Sequence, residues 1–289
     1  MKRRANAGSR CALLTLLALT AGAGCDQQEG QQAPDAATIE EGKQIFRFDT
    51  FGDEAQWTDV LRMHEVIGSA VDPVTALSVG LKVDSEVLPP GILQSADLRN
   101  PATTVALIKL NAVVGVKGTV TSVGGVDTLT RVGITCALCH STVDDSVQKG
   151  IGRRLDGWAN TDLNPGAIIA LSPALTPDQK AVYNSWGKGF YDPRFNHDGL
   201  NRPVVIPPAS GLAGTDRATY TGDGDITYWN SYVAVTQMGG QGVFSDPRIG
   251  VEVRRTPDIV TPKLPALKAY QLSLRKPDAP AGSFGAAAA

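Results

Sequence analysis

Cys136-Ala137-Leu138-Cys139-His140 sets two thiols three positions apart with an imidazole directly after the second. Covalent attachment of a c-type haem requires that spacing. Each thiol adds across one vinyl group of the porphyrin, and the adjacent imidazole reaches the iron from the proximal side. Other chemistries also use a CxxC pair. A zinc site would need two further ligands, and outside the run the histidines are only His64 and His197. A thioredoxin-like redox pair is the second alternative. With four Cys and three His in 289 residues, a chance CxxCH is about a one-in-a-thousand event, so haem c, with its iron, is the expected cofactor.

The other thiols have separate places. Lys2, Arg3, Arg4 and Arg10 precede an apolar run from Cys11 to Ala23. At about 13 residues it is too short to cross a bilayer and has the shape of an export signal, which predicts a signal peptide over residues 1–24. Gly22-Ala23-Gly24-Cys25 sets small residues before a cysteine, as a bacterial lipoprotein cleavage site does, although Gly22 stands where a branched apolar residue is usual. Lipidation of Cys25 is expected, which makes the protein periplasmic and tethered to a membrane through a lipid anchor. Cleavage by ordinary signal peptidase, leaving a soluble periplasmic protein with a spare thiol, is the alternative.

Loss of residues 1–24 turns 27 basic against 29 acidic side chains into 23 against 29, a net charge of −6. A mildly acidic mature chain argues against nucleic acid or anionic membrane as a partner by charge and leaves redox partner proteins. The Gln-rich, aperiodic residues 25–38 read as a flexible tether, residues 39–279 as one domain, and residues 280–289 as a tail.

Within that domain, Asp72-Pro73 and Thr176-Pro177 read as helix starts, the first running to Val79 and the second toward Trp186. Gln56 to Ile67 predicts a helix bearing Met63 and His64. Val105 to Thr121 reads as strand and hairpin, with Leu129 to Thr135 pairing to it. Leu264, Leu267, Tyr270 and Leu274 recur at three- and four-residue steps, giving an amphipathic helix from about Pro265 to Leu274.

The order of these features resembles the class I c-type cytochrome family, in which an N-terminal helix, CxxCH, a glycine-rich turn, a distal Met and a C-terminal helix follow one another. The matching residues are Glu41-Gly42-Lys43-Gln44-Ile45-Phe46, Cys136 to His140, Gly150-Ile151-Gly152-Arg153-Arg154-Leu155-Asp156-Gly157, Met238, and the helix with Leu267 and Tyr270. The CxxCH run is specific and the others are weak singly. Together they cover about a third of the chain. The resemblance implies a mainly α fold: a cytochrome c-like helical domain around one covalently bound haem, with long irregular insertions and a small β-hairpin.

The departures are as informative. About 90 residues separate Phe46 from Cys136 and about 98 separate His140 from Met238. Arg153 stands where the family has the Pro whose carbonyl accepts a hydrogen bond from the proximal imidazole. Arg153, Arg154 and Trp158 are candidates to hold haem propionates, against the alternative of an exposed basic turn. His140 is the expected proximal iron ligand. Met238 is the expected sixth ligand, with Gly239 and Gly240 giving its backbone freedom, while His197 or a merely core-filling Met238 are the competing readings. Asp192, Asn196, Asp198 and Gly199 offer oxygens but miss the EF-hand spacing and read as a polar turn. The tryptophans at 57, 158, 186 and 229 read as packing.

The expected function is a monohaem c-type cytochrome passing single electrons between redox partners. A peroxidase-like haem oxidoreductase with an open sixth position, and a non-catalytic haem subunit of a respiratory complex, are the alternatives. The run Gly282 to Ala289 has no terminal cap, and a chain truncated before, or ancestrally fused to, a further haem domain is a further expectation.

Overall fold

The computed structural model describes residues 34–218 and 222–275. They belong to a unit that opens at Pro34. The signal peptide, Cys25 and the 280–289 tail fall outside the described residues, and the first helix, Ala36–Phe48, already occupies the end of the expected tether. Asp35 caps that helix by accepting from the Thr38 N–H at 2.7 Å.

The mainly α, cytochrome c-like helical domain is not what the chain forms. It is a mixed α/β fold in which helices alternate with strands that pair, among the described residues, as five two-stranded sheets. The reason lies in the long intervals on either side of the CxxCH run, which carry regular structure of their own. Val116–Val123 and Val126–Ile134 form a long antiparallel hairpin around Gly124-Gly125, both with positive φ (59° and 82°). Ser141–Val143 pairs with Arg154–Asp156, and Val243–Asp246 with Val251–Arg254.

Two other expectations shift. The Val105 end of the predicted strand lies in a helix, Pro101–Lys109, because Asn100 accepts from the Ala102 N–H at 2.9 Å and Pro101 presets the first turn. That helix buries Val105 and Ile108 against Leu129 and Val132 of the hairpin. The predicted 56–67 helix is interrupted: a π-helical turn, Ala55–Val60, ends before Arg62 (φ 53°), and an α-helix restarts at Met63. Thr58 causes the displacement by both accepting from the Val132 N–H (2.8 Å) and donating to the Val132 carbonyl (2.9 Å), which ties the turn to the hairpin. The Asp72-Pro73 and Thr176-Pro177 starts open helices Pro73–Ser78 and Pro177–Asn184, the second with a full capping box.

The C-terminal helix, Leu264–Ser273, crosses the first helix at Gly42. A Cβ at Gly42 would coincide with the Ala266 carbonyl and lie 2.7 Å from Tyr270 Cβ, so only glycine permits the approach. Beside the crossing, the Phe46 and Tyr270 rings meet edge-on at 5.5 Å. One apolar cluster gathers these helices with Val235 and Met238. A second gathers the hairpin with Trp57 and Met63. Ile134, two residues before Cys136, packs against both and also against Leu138, Leu163 and Ile206. The CxxCH turn therefore leaves the hairpin where the cores meet.

Candidate functional site

Cys136 begins a four-residue helical turn, Ala137–His140, that the hairpin delivers into the core. Thr135 anchors the entry: its N–H donates to the Gly115 carbonyl (3.0 Å) and its hydroxyl to the Arg47 carbonyl (3.1 Å). The exit is held by Gly157 N–H to the His140 carbonyl (2.8 Å) and Asn160 N–H to the Cys139 carbonyl (2.9 Å). Backbone bonds from both sides thus set the turn, independent of what its side chains later hold.

Cys136 and Cys139 form no disulfide and are half-buried. Burial pushes both thiols up to about 12, Asp49 adding to the shift at Cys136, so both stay protonated in the folded chain. Burial also lowers the His140 pKa, which favours the neutral imidazole. His140 Nδ1 lies 2.9 Å from the Pro207 carbonyl oxygen. An N–H at Nδ1 donating to that carbonyl leaves the lone pair on Nε2, the nitrogen that would bind a metal. The expected carbonyl from position 153 is therefore supplied from a different loop. Nothing in the sequence around Pro207 signals this.

Directly after His140, Ser141 donates to Asp156 Oδ1 at 2.8 Å. Asp156 Oδ2 accepts from Arg47 Nε and from the Tyr270 hydroxyl, both at 2.5 Å. This buried carboxylate ties the first helix, the turn and the C-terminal helix together. Burial and the adjacent Asp156 charge raise the Tyr270 pKa, so the phenol remains a donor.

Among the described residues, no three of His, Cys, Asp and Glu converge as a metal-ion site. Asp192 of the polar turn spends its oxygens on the backbone N–H groups of Arg194, Phe195 and Arg202. No protein-family model, curated protein or solved structure matches this chain. The functional reading therefore stands on residues and geometry.

Met238 closes a π-helical turn, Val233–Gln237, and is 3 % exposed. Its N–H donates to the Val233 carbonyl (2.9 Å), and its carbonyl accepts from Trp57 Nε1 (3.0 Å). It belongs to the apolar cluster against which Cys136 packs. His197 is exposed on the short helix Phe195–Asp198, and partial burial and Arg194 lower its pKa.

The three proposed propionate donors do not share an environment. Arg153 is exposed and paired with Asp144 at 2.8 Å. Trp158 is 42 % exposed. Arg154 is buried opposite Val143 of the strand that follows His140, with Nε ion-paired to Asp84 at 3.2 Å and Nη1 lacking a partner among the described residues. Arg194 Nε is likewise buried and, among the described residues, unpartnered, and no local pattern in the chain marks this residue. These orphaned guanidinium N–H groups are donors that a carboxylate-bearing cofactor would satisfy. Two thiols, a neutral imidazole with its Nδ1 held, a buried thioether and orphaned guanidinium donors fit haem c by chemistry.

Proposed function

We propose that this chain is a c-type haem protein that carries single electrons between redox partners. When bound, the haem iron supplies one-electron chemistry by cycling between ferric and ferrous states. In this reading Cys136 and Cys139 would hold the porphyrin through thioether bonds, and His140 and Met238 would ligate its iron. Arg154, whose Nη1 is unpartnered beside its ion pair with Asp84, would be the propionate donor, while Arg153 and Trp158 lie nearer solvent.

The observation that carries the reading is the His140–Pro207 bond, because it fixes the imidazole by Nδ1 while Nε2, which has no hydrogen-bond partner among the described residues, stays available to a metal. The crossing of the first and last helices at Gly42, held to the turn through Asp156, is a second support. It is a local arrangement resembling the class I c-type cytochromes, set within a mixed α/β chain.

Denaturing gels test the reading. Haem should stay with the denatured wild-type chain and be lost from the Cys136→Ala, Cys139→Ala double variant. Release of haem from the wild type into acidified organic solvent would reject covalent attachment. Export and a lipid on Cys25, giving a periplasmic protein tethered to a membrane, complete the proposal, and mass spectrometry of the mature N-terminus decides it. No helix among the described residues is long and apolar enough to cross a membrane.

A further inference from the structure

We propose that the cleft beside the Met238 segment binds a small oxyanion: a carboxylate, sulfate or phosphate group. The cleft has a volume of about 330 Å³, and its walls include Gly52, Gln56, Gly239, Gln241, Arg255 and Thr256. Arg255 is the only charged residue among those that line it.

Arg255 is half committed. Its Nη1 donates to the carbonyls of Val235 (2.7 Å) and Gly240 (3.0 Å), and no other guanidinium hydrogen bond forms among the described residues. The Nε–Nη2 edge, of the kind that grips an oxyanion through two parallel bonds, has no partner among the described residues. The Gln56 and Gln241 amides and the Thr256 hydroxyl also make no side-chain hydrogen bond among the described residues. One cation and three neutral polar groups thus share a cleft, Arg255 and Thr256 exposed to solvent and Gln56 and Gln241 half-buried, a set of donors that can take an anion with modest affinity.

The local backbone explains why they gather there. Gly239 has φ 87°, and a Cβ on it would lie 2.5 Å from Gln56 Cβ and 2.9 Å from its Cγ. Glycine at this position lets the stem of Gln56 lie on the residue that follows Met238. Gln241 is fixed across from it by donating its N–H to the Phe51 carbonyl at 2.7 Å.

Arg255 clamps Val235 and Gly240, the residues that bracket Met238, so the cleft adjoins the segment that carries the proposed sixth ligand.

The experiment is a titration of the ¹⁵N-labelled, reduced holoprotein with inorganic phosphate and, separately, acetate, at constant ionic strength balanced with chloride. Backbone signals of Gly52, Gly239 and Gln241 should shift saturably, with a Kd of about 1–10 mM for at least one anion. Arg255→Gln should weaken binding roughly tenfold or more. Gln241→Ala, which leaves the clamp intact, should weaken it roughly two- to fivefold. The stronger of the two anions identifies the source, phosphate or carboxylate. Shifts that do not saturate, or that are unchanged in both variants, overturn the proposal. Absorbance of the same protein after oxidation keeps the two ideas apart. Saturable binding with no sulfur-to-iron band leaves the anion site standing and removes the Met238 reading, whereas a normal band without saturable binding does the reverse.

Discussion

His140 Nδ1 and the Pro207 carbonyl oxygen meet at 2.9 Å across 67 positions of sequence. Backbone bonds on either side hold Pro207 in place: Ile206 N–H donates to the Gly189 carbonyl and Ala209 N–H to the Gly157 carbonyl, both at 2.9 Å. Since the acceptor is a main-chain atom fixed by its neighbours, the orientation of the imidazole does not depend on the pyrrolidine ring. Pro207→Ala should therefore keep the slowly exchanging His140 Nδ1–H resonance and cost about 0.4–1 kcal/mol through the freer unfolded chain. NMR and urea unfolding check both, and loss of the resonance would mean that the ring itself positions the carbonyl.

The sixth-ligand assignment is tested by a shape-preserving change. Met238→Leu should still fold, because a buried thioether is replaced by a side chain of similar volume. It should nevertheless abolish the far-red sulfur-to-iron band of the ferric protein. His197→Ala, at an exposed position, should leave that band unchanged. The opposite pattern in ferric spectra would transfer the ligand role to His197.

Asp53 makes stability depend on pH. Its side chain is fully buried, and burial pushes its pKa from 3.8 to about 9, against hydrogen bonds from the Ile134 N–H and with Glu54 and Asp49 adding to the rise. Between about pH 4 and 9 the folded chain keeps a proton that the unfolded chain has released. Stability is then greatest below the unfolded pKa and falls as pH rises, by up to about 1.4 kcal/mol per pH unit inside that window. Asp53→Asn should flatten the slope and be the more stable chain at pH 8. Urea midpoints from pH 5 to 8 measure it, and equal slopes for the two proteins would place the dependence elsewhere.

Gly42→Ala should undo the helix crossing. The new methyl has a backbone carbonyl, not a flexible side chain, in its way, so relief requires moving the C-terminal helix. A loss of about 3 kcal/mol is expected, at the upper end of overpacking costs. Thermal unfolding gives the loss, and the Phe46–Tyr270 contact, followed by ring-proton cross-peaks, should weaken with it. An unchanged midpoint would show that the crossing relaxes more easily than its geometry allows.

What the sequence determined by itself is local. The CxxCH spacing, the Pro-marked helix starts, the C-terminal amphipathic stripe and the pairing of residues near 120 and 130 are each encoded within a dozen neighbours, where capping, φ restriction and periodicity act. Only the tertiary structure decided what those pieces face. Val105 to Lys109 had strand-like composition, yet Asn100 and Pro101 start a helix there and the hairpin supplies a surface to bury it. The mixed α/β architecture arises from pairings such as Ser141–Val143 with Arg154–Asp156, whose partners no single segment names. The acceptor for His140, the carboxylate shared by Arg47, Ser141 and Tyr270, and the orphaned donors on Arg154 and Arg194 depend on long-range contacts or on burial, and neither leaves a periodic trace in the chain.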